Sequence, residues 1–365
     1  MQRGEARRFA TRTSVTGAEL TISDEATLRT LALDGHCQSE VVLLRGGGLS
    51  MAQPLELVKI MCLVTLGWLS GSAAESLEAP RVLLLGLGGG SIARVLSATM
   101  PPMGWVHSVE LEPEVIQAAV DYFGLVVRDR CCTVEAGEAG TFLRRHHRAI
   151  STPKRLTNGG ECSTADDVGS AEGGVSGGGD GGVKTANTES GDAASSPADA
   201  RNVAEEGMGT APRSRFDVIL LDAFTSDGLS VTTQQRATLH DAAHCLTDRG
   251  ILLINLHTGD LDDPDYYVAR RVLRLLCERF GSVYRVLCTS TQNLIAICHQ
   301  GDFLDAEAWQ ARLQEVLNRP TVAEACTNFE LDTMMSRFDF VGGIGSPMSD
   351  DDEEKERELG LKPRE

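Results

Sequence analysis

The sequence is poor in positive charge and contains no long apolar run. Its 365 residues include 34 lysines and arginines against 52 aspartates and glutamates, which gives a formal net charge of −18 at pH 7. Phosphates repel a protein of that sign, so we expect neither a nucleic-acid partner nor a membrane surface. The longest apolar stretch, residues 55–69, contains Glu56 and Lys59 and is too short to span a bilayer. It predicts a buried helix instead.

The cysteines also lack the spacing of a metal site or a disulfide framework. There are ten of them, scattered along the chain, and the adjacent Cys131 and Cys132 are too close to bridge separate elements. We therefore expect reduced thiols, no metal and a cytoplasmic protein. Four arginines among the first twelve residues leave import into an organelle as the alternative.

Several segments are too polar to form a core. Residues 151–214 consist mainly of Gly, Ser, Ala, Asp and Glu, which bury too little apolar surface to offset the entropy lost on folding. We predict a disordered insertion there. The C-terminal extension, residues 321–365, carries five consecutive acids at 350–354, whose self-repulsion predicts a disordered acidic tail. Residues 1–18 are predicted to be a disordered N-terminus.

Strands and helices alternate on both sides of this insertion. Short apolar strands are predicted at residues 81–85, 105–109, 131–135, 216–221 and 250–256. Residues 113–123 have helical spacing, with proline in the first turn, where its missing N–H is harmless. Residues 283–288 and 294–298 flank a polar turn and predict a hairpin. The pattern predicts one interrupted α/β domain, with a mostly parallel sheet, helices on both faces and one antiparallel strand.

A glycine-rich turn follows the first predicted strand. Gly86-Leu-Gly88-Gly-Gly90 lies between strand and helix, where glycines let the chain turn tightly and a ligand approach the backbone. Glu110 ends the next strand, where a carboxylate can accept hydrogen bonds from both hydroxyls of a ribose. The combination favours nucleoside binding over a bare structural turn and a solvated strand end. The order GLGGGS departs from G-x-G-x-x-G, so a dinucleotide is less favoured.

Taken together, these motifs resemble the spermidine synthase superfamily of class I methyltransferases. The matching segments are residues 83–96, 106–116, 122–125 and 216–228, together with Leu33-Asp-Gly35 and Gln38. The resemblance covers residues 26–300 outside the insertion. It implies a Rossmann-like seven-stranded sheet built from residues 51–150 and 215–320, preceded by a small N-terminal β region at residues 19–50.

The resemblance also implies a site at the carboxyl ends of the strands, with S-adenosylmethionine or its decarboxylated form as the ligand. Carried over by position, Gly86, Gly88 and Gly90 would line the methionine or aminopropyl part, Glu110 would hold the ribose, Glu138 would contact the adenine amine, and Gln38 would reach over the ligand. Asp222 matches the acid that helps take a proton from the attacking amine in aminopropyltransferases. A helix N-cap or a solvated strand end is the alternative for Asp222.

Two departures from the family pattern concern the amine substrate. The family grips its amine with a tyrosine and a histidine or glutamine, and residues 49–56 contain neither tyrosine nor histidine. Residues 225–229 lack the proline of the family's DPxGP. The chain thus resembles more the spermidine-synthase-like protein methyltransferases, such as the domain that methylates the N-terminus of translation elongation factor 1 alpha.

We therefore expect an S-adenosylmethionine-dependent methyltransferase acting on an amine acceptor, with a protein among the candidate acceptors. The first alternative is an aminopropyltransferase that uses decarboxylated S-adenosylmethionine. The second is a catalytically silent nucleoside-binding module. Whether the chain forms a homodimer is left open.

Overall fold

The computed structural model describes residues 8–71, 79–128, 131–152, 214–225, 228–258, 263–301 and 303–344. The disordered insertion predicted at 151–214 lies outside these ranges, apart from Ser151, Thr152 and Ser214. The predicted acidic tail also lies outside them.

A small antiparallel sheet opens the fold. Its strands pair in chain order and are β1 (Arg8–Arg12), β2 (Glu19–Glu25), β3 (Leu28–Leu33) and β4 (His36–Val42). Asp34 and Gly35 both have positive φ, 48° and 82°, as a two-residue hairpin requires, which explains the LDG motif physically. The prediction of disorder through residue 18 is wrong for residues 8–12. They form an edge strand that pairs with β2 from Arg8↔Ser23 to Arg12↔Glu19.

The large sheet has eight strands. They are β5 (Arg81–Leu85), β6 (Trp105–Glu110), β7 (Cys132–Ala136), β8 (Phe216–Leu221), β11 (Leu246–His257), β12 (Ser282–Leu287), β13 (Asn293–His299) and β14 (Phe338–Gly342), in the order β14-β12-β13-β11-β8-β5-β6-β7. The five strands from β11 to β7 are parallel, whereas β13, β12 and β14 pair antiparallel. A separate pair, β9 (Phe224–Thr225) and β10 (Gly228–Leu229), follows β8.

The predicted α/β fold with a small N-terminal β region is confirmed, but the strand count differs from the expected seven. The eighth strand, β14, comes from the C-terminal extension and covers the edge of β12, pairing from Val286↔Phe338 to Val283↔Gly342. Because β14 alternates aromatic and polar residues and follows short helices, it carries no continuous apolar run of the kind that identified the central strands.

Helices cover both faces of the large sheet. They are α1 (Glu56–Ser70), α2 (Ser91–Thr99), α3 (Pro113–Phe123), α4 (Ala139–Ser151), α5 (Arg236–Cys245), α6 (Pro264–Cys277), α7 (Ala306–Leu317), α8 (Pro320–Ala325) and α9 (Leu331–Met335). One core layer holds Val82 and Leu84 of β5 with α1, α2 and α7 to α9, and the other holds Leu83 and Leu85 with α4 to α6. The central strands are thus buried on both faces, which accounts for their unbroken apolar sequences.

The small sheet packs on α3 rather than standing apart. Leu20, Ile22 and Leu31 form a third apolar cluster with Val115 and Phe123 of α3. The contact brings β4 over the glycine turn that follows β5, so the small sheet forms part of the functional cleft.

The described residues contain no helix that is both long enough and apolar enough to cross a membrane. The nine cysteines among them carry free thiols.

Candidate active site

A cleft opens at the carboxyl ends of β5, β6, β7 and β8, beneath β4. Its empty volume, including the open mouth, is about 570 Å³. The residues that line it are Leu33, Gln38, Gly86, Gly88, Val109, Glu110, Leu111, Val115, Gly137, Glu138, Ala139, Asp222, Ala223, Phe224 and Ser230. All the predicted site residues except Gly90 therefore meet in one cleft.

Packing against neighbouring backbone requires glycine in this turn, in addition to any need to admit a ligand. A Cβ at Gly86 would overlap the backbone carbonyl oxygen of Asp222, and one at Gly88 would lie 3.3 Å from the carbonyl oxygen of Gln38. Both residues also have positive φ, 92° and 52°, which glycine adopts without strain. The turn thus lets β5, the end of β8 and β4 approach one another closely around the cleft.

Gly90 is not among the residues that line the cleft. It caps α2, and a Cβ there would lie 3.3 Å from three atoms of the Leu125 side chain. Its N–H donates to the carbonyl oxygen of Leu87. The carry-over of Gly90 to the ligand is therefore not supported by its placement, because tight packing at the C-terminal end of α3 already accounts for a glycine at this position.

Glu110 lies buried at the end of β6 and holds the glycine turn. Its Oε2 accepts hydrogen bonds from the N–H of Leu87 at 2.8 Å and of Gly88 at 3.3 Å, and its Oε1 accepts one from the N–H of Glu112 at 3.1 Å. Burial raises the pKa of this carboxyl, and the backbone hydrogen bonds oppose the rise. A carboxylate has about four acceptor positions, so these three bonds leave about one, on Oε1, for a ribose hydroxyl.

Glu138 follows β7 and caps α4. Its Oε1 accepts hydrogen bonds from the N–H of Gly140 at 2.8 Å and the hydroxyl of Thr232 at 2.7 Å, and its Oε2 accepts one from the N–H of Thr141 at 2.6 Å. Burial alone would raise its pKa, but these hydrogen bonds outweigh burial and lower it. The side chain thus has a structural role at the cleft wall, and the predicted contact with adenine would be additional to it.

Asp222 follows β8 and lines the cleft. Its Oδ1 accepts a hydrogen bond from Nδ2 of Asn255 at 2.8 Å, and no described residue hydrogen-bonds to its Oδ2. Burial raises its pKa to about 6, the nearby charge of Glu110 adds to the rise, and the hydrogen bond from Asn255 opposes it. A carboxylate of that pKa is ionised at neutral pH, yet it is a better proton acceptor than an ordinary aspartate.

Asn255 and Asn293 were missed in the sequence analysis. Asn255 is buried in β11, and its Oδ1 accepts a hydrogen bond from Nδ2 of Asn293 in β13 at 2.9 Å. The two amides and Asp222 thus form a chain across three adjacent strands. A buried polar residue within the apolar run ILLINL of β11 was the available signal, because such a residue needs a hydrogen-bond partner.

The cleft is strongly acidic. Its lining includes Glu110, Glu138 and Asp222, and no lysine, arginine or histidine among the described residues lines it. Such a wall attracts cations and repels phosphate groups. A sulfonium or an amine suits it better than the pyrophosphate of a dinucleotide.

Similarity to known proteins lies in the structure. No protein-family model matches the chain, and no curated protein sequence matches it. The structure is similar to a probable spermidine synthase from Corynebacterium glutamicum ATCC 13032, with a TM-score of 0.55 and 13% identity over 94% of this chain and 98% of that one. It is also similar to a spermidine synthase in complex with the transition state analogue AdoDATO, with a TM-score of 0.51 and 13% identity over 97% and 88%.

The chain has the spermidine synthase fold. A further match, human methyltransferase-like protein 13 in complex with SAH, has a TM-score of 0.47 and 19% identity over 76% of this chain and 96% of that one. The predicted resemblance is thus confirmed at the level of the fold.

Proposed function

We propose that this chain is a transferase that binds S-adenosylmethionine and moves its methyl group to an amine acceptor. The observation that carries the proposal is Asp222, a carboxylate with a raised pKa that shares one acidic cleft with Glu110. A nucleoside-binding acid and a proton acceptor on adjacent sides of one cleft are what such a transfer needs.

The cleft fits a sulfonium nucleoside. Glu110 lies at the end of β6 and lines the cleft beside Gly86 and Gly88 of the glycine turn, where the backbone is open to a ligand. Gln38 of β4 lines the cleft on the side of the small sheet and offers an uncharged amide. S-adenosylmethionine would supply an activated methyl group on a positively charged sulfur, which the surrounding carboxylates stabilise when it binds.

Asp222 would accept the proton that the amine acceptor loses. An ammonium group cannot attack until it loses a proton, and the free Oδ2 of Asp222 is placed to accept one. In the transfer the amine nitrogen forms a bond to the methyl carbon, the carbon–sulfur bond breaks, and its electron pair stays on sulfur. Holding the amine in line with that bond supplies much of the rate.

Methyl transfer is favoured by the segment where the family grips a polyamine. Residues 49–56 lack tyrosine and histidine, and their single acid, Glu56, is already engaged. Its Oε2 accepts hydrogen bonds from the N–H groups of Thr289 at 2.6 Å and Ser290 at 3.1 Å, and its Oε1 pairs with Arg337 at 2.9 Å. No described side chain of this segment is therefore free to hold a diamine by its charge. We include an amine of another protein among the candidate acceptors.

Aminopropyl transfer is the second candidate, favoured by the charge of the cleft. Decarboxylated S-adenosylmethionine lacks the carboxylate that a wall of three acids without a described basic residue would repel. The spermidine synthase solved with AdoDATO has the same fold.

Calorimetric titration with the two nucleosides separates these functions. Tighter binding of S-adenosylmethionine supports methyl transfer, tighter binding of the decarboxylated form supports aminopropyl transfer, and binding of neither contradicts both. Incubation with cell extract and methyl-labelled S-adenosylmethionine then identifies the acceptor, with Asp222→Asn as the matched control. A protein that binds the nucleoside but labels nothing, and transfers nothing to diamines, would be a silent binding module.

A further inference from the structure

A cluster of imidazoles lies between α4 and α5, away from the cleft. His147 comes from α4, and His240, Asp241 and His244 come from α5, where they form the sequence His-Asp-Ala-Ala-His. Histidines four residues apart lie on one face of a helix, a spacing that suits two metal ligands. Four of the eight histidines in the chain are His146 and these three, so the local density of imidazole is high.

The ligand atoms of three of these residues converge. Nδ1 of His147 lies 2.7 Å from Oδ1 of Asp241, and Nδ1 of His240 lies 3.8 Å from the same oxygen. One ligand atom from each of His147, His240 and Asp241 lies within 4.8 Å of the others. Ligands around one tetrahedral metal ion, each about 2.0–2.2 Å from it, lie about 3.4 Å apart, so the His147–Asp241 hydrogen bond at 2.7 Å would lengthen slightly to admit an ion.

His244 packs against both other imidazoles. Its ring centroid lies 4.1 Å from that of His240 and 4.7 Å from that of His147, while the rings of His147 and His240 are 5.8 Å apart. Its Nδ1 is bonded to the carbonyl oxygen of His240 at 2.9 Å. That hydrogen bond raises the pKa of His244, but burial and the positive charges of His240, Arg279 and His147 outweigh it and lower the pKa.

Electrostatic repulsion between the imidazoles explains why this cluster favours binding of a metal ion over protonation. Three imidazoles in contact repel one another when protonated, and Asp241 is the carboxylate that both His147 and His240 face. The side chains of His147 and Asp241 are only 22% and 14% exposed, whereas that of His240 is 52% exposed and leaves a path from solvent. A divalent ion would satisfy two imidazole lone pairs and the carboxylate together.

We propose that His147, His240 and Asp241 bind a divalent transition-metal ion, with Zn²⁺ as the expected ion and His244 packed beside two of its ligands. Two imidazoles and one carboxylate form a donor set that Zn²⁺ accepts, and water completes its coordination. The proposal departs from the sequence-based expectation of no metal, which considered cysteine spacing only.

The site would join two helices and take no part in the transfer. Ala139, the first residue of α4, lines the cleft, and His147 lies about 12 Å further along the helix at 1.5 Å per residue. Metal binding would fix α4 to α5 and stabilise the folded state according to the free metal concentration.

The test uses Co²⁺ and Zn²⁺ with the full-length chain. A titration with Co²⁺, followed by its visible absorption, is expected to show one site with nitrogen and oxygen ligands and no thiolate band. Zn²⁺ should compete for it and raise the melting temperature. In Asp241→Asn, which keeps an acceptor for His147 but loses the charge, affinity should fall by about tenfold or more.

His240→Ala and His147→Ala should lose the site, whereas His36→Ala, an exposed histidine of the small sheet, should bind as the parent does. Circular dichroism without metal checks that each variant is folded. Equal affinity in the parent and Asp241→Asn, no Co²⁺ spectrum, or a thiolate band that survives all three substitutions would each overturn the proposal. None of these outcomes bears on nucleoside binding.

Discussion

Asn255 donates a hydrogen bond to Asp222 across the boundary between β11 and β8, over 2.8 Å. It stabilises the charged form of a carboxylate whose burial favours the neutral form. The pKa of Asp222 is thus raised by burial and by the charge of Glu110 and lowered by the hydrogen bond from Asn255.

Activity should depend on the ionisation of Asp222. Its pKa is raised to about 6, so it is protonated below that pH and cannot accept a proton from the amine. We expect kcat/KM to rise with pH through about 6 and to level off above it, provided that the acceptor does not titrate in this range. Asp222→Asn should lower the rate by roughly 10²- to 10⁴-fold and remove the rising limb of the pH profile, the part in which kcat/KM increases with pH. A variant that keeps the rate and the pH profile of the parent would show that Asp222 is only a strand end.

Asn255→Leu should move the same limb to higher pH. The substitution removes the donor that favours the carboxylate, so the pKa of Asp222 should rise above 6 while nucleoside affinity changes little. Asn293→Leu is the matched control, because Asn293 reaches Asp222 only through Asn255 and should shift the limb less. An unmoved limb in Asn255→Leu would contradict a positioning role for this residue.

Glu110→Gln should weaken nucleoside binding by at least about tenfold. Hydrogen bonds to a charged group contribute about 1.5–3 kcal/mol each, and glutamine replaces one acceptor oxygen with a donor. The same amide would face backbone N–H groups that now donate to the carboxylate, so the melting temperature should fall as well. Glu135→Gln, on the neighbouring strand but outside the cleft, should keep the affinity. Calorimetry measures the nucleoside affinity of both variants. Equal affinities would show that Glu110 does not bind the nucleoside.

Glu56→Gln should destabilise the fold at pH 7 by about 1–3 kcal/mol and by roughly half as much or less at pH 3. Burial alone would raise the pKa of Glu56, but hydrogen bonds from Arg337, Thr289 and Ser290 outweigh burial and lower it to about 2. Because the ordinary value is 4.5, this stabilisation is complete above about pH 4.5 and is lost as the pH falls through about 2. Urea unfolding at both pH values measures it, with the exposed Glu315→Gln as the control. A loss independent of pH would show that charge is not the cause.

The central elements could be predicted because each is decided locally. β8 and α3 have the predicted bounds, since one is an unbroken apolar run and the other begins at a proline and ends at a glycine. The edge strands β1 and β14 were not predicted as strands, because an edge strand is half-exposed and its pattern is weak. Their pairing is decided by neighbours distant in the chain.

The site could be predicted only in part for the same reason. Glu110, Glu138 and Asp222 each end a strand, so the topology of a parallel sheet brings them to one edge. The partners of those residues depend on tertiary packing. Asn255 meets Asp222 only when β11 pairs with β8, and His147 meets Asp241 over 94 residues of sequence. Gly90 was assigned to the ligand by position, although the side chain of Leu125 explains it.

The pairing of β5 with β8 has a consequence for synthesis. Arg81 and Asp217, joined by a hydrogen bond at the start of these strands, are 136 residues apart in the chain. At about 5–20 residues per second, the ribosome makes β8 roughly 7–27 s after β5. During that interval one edge of β5 has no partner from its own sheet, and an unpaired apolar edge can pair with another nascent chain. The glycine turn and Glu110 are made before Asp222, so the cleft cannot be complete until β8 has been made and has paired with β5.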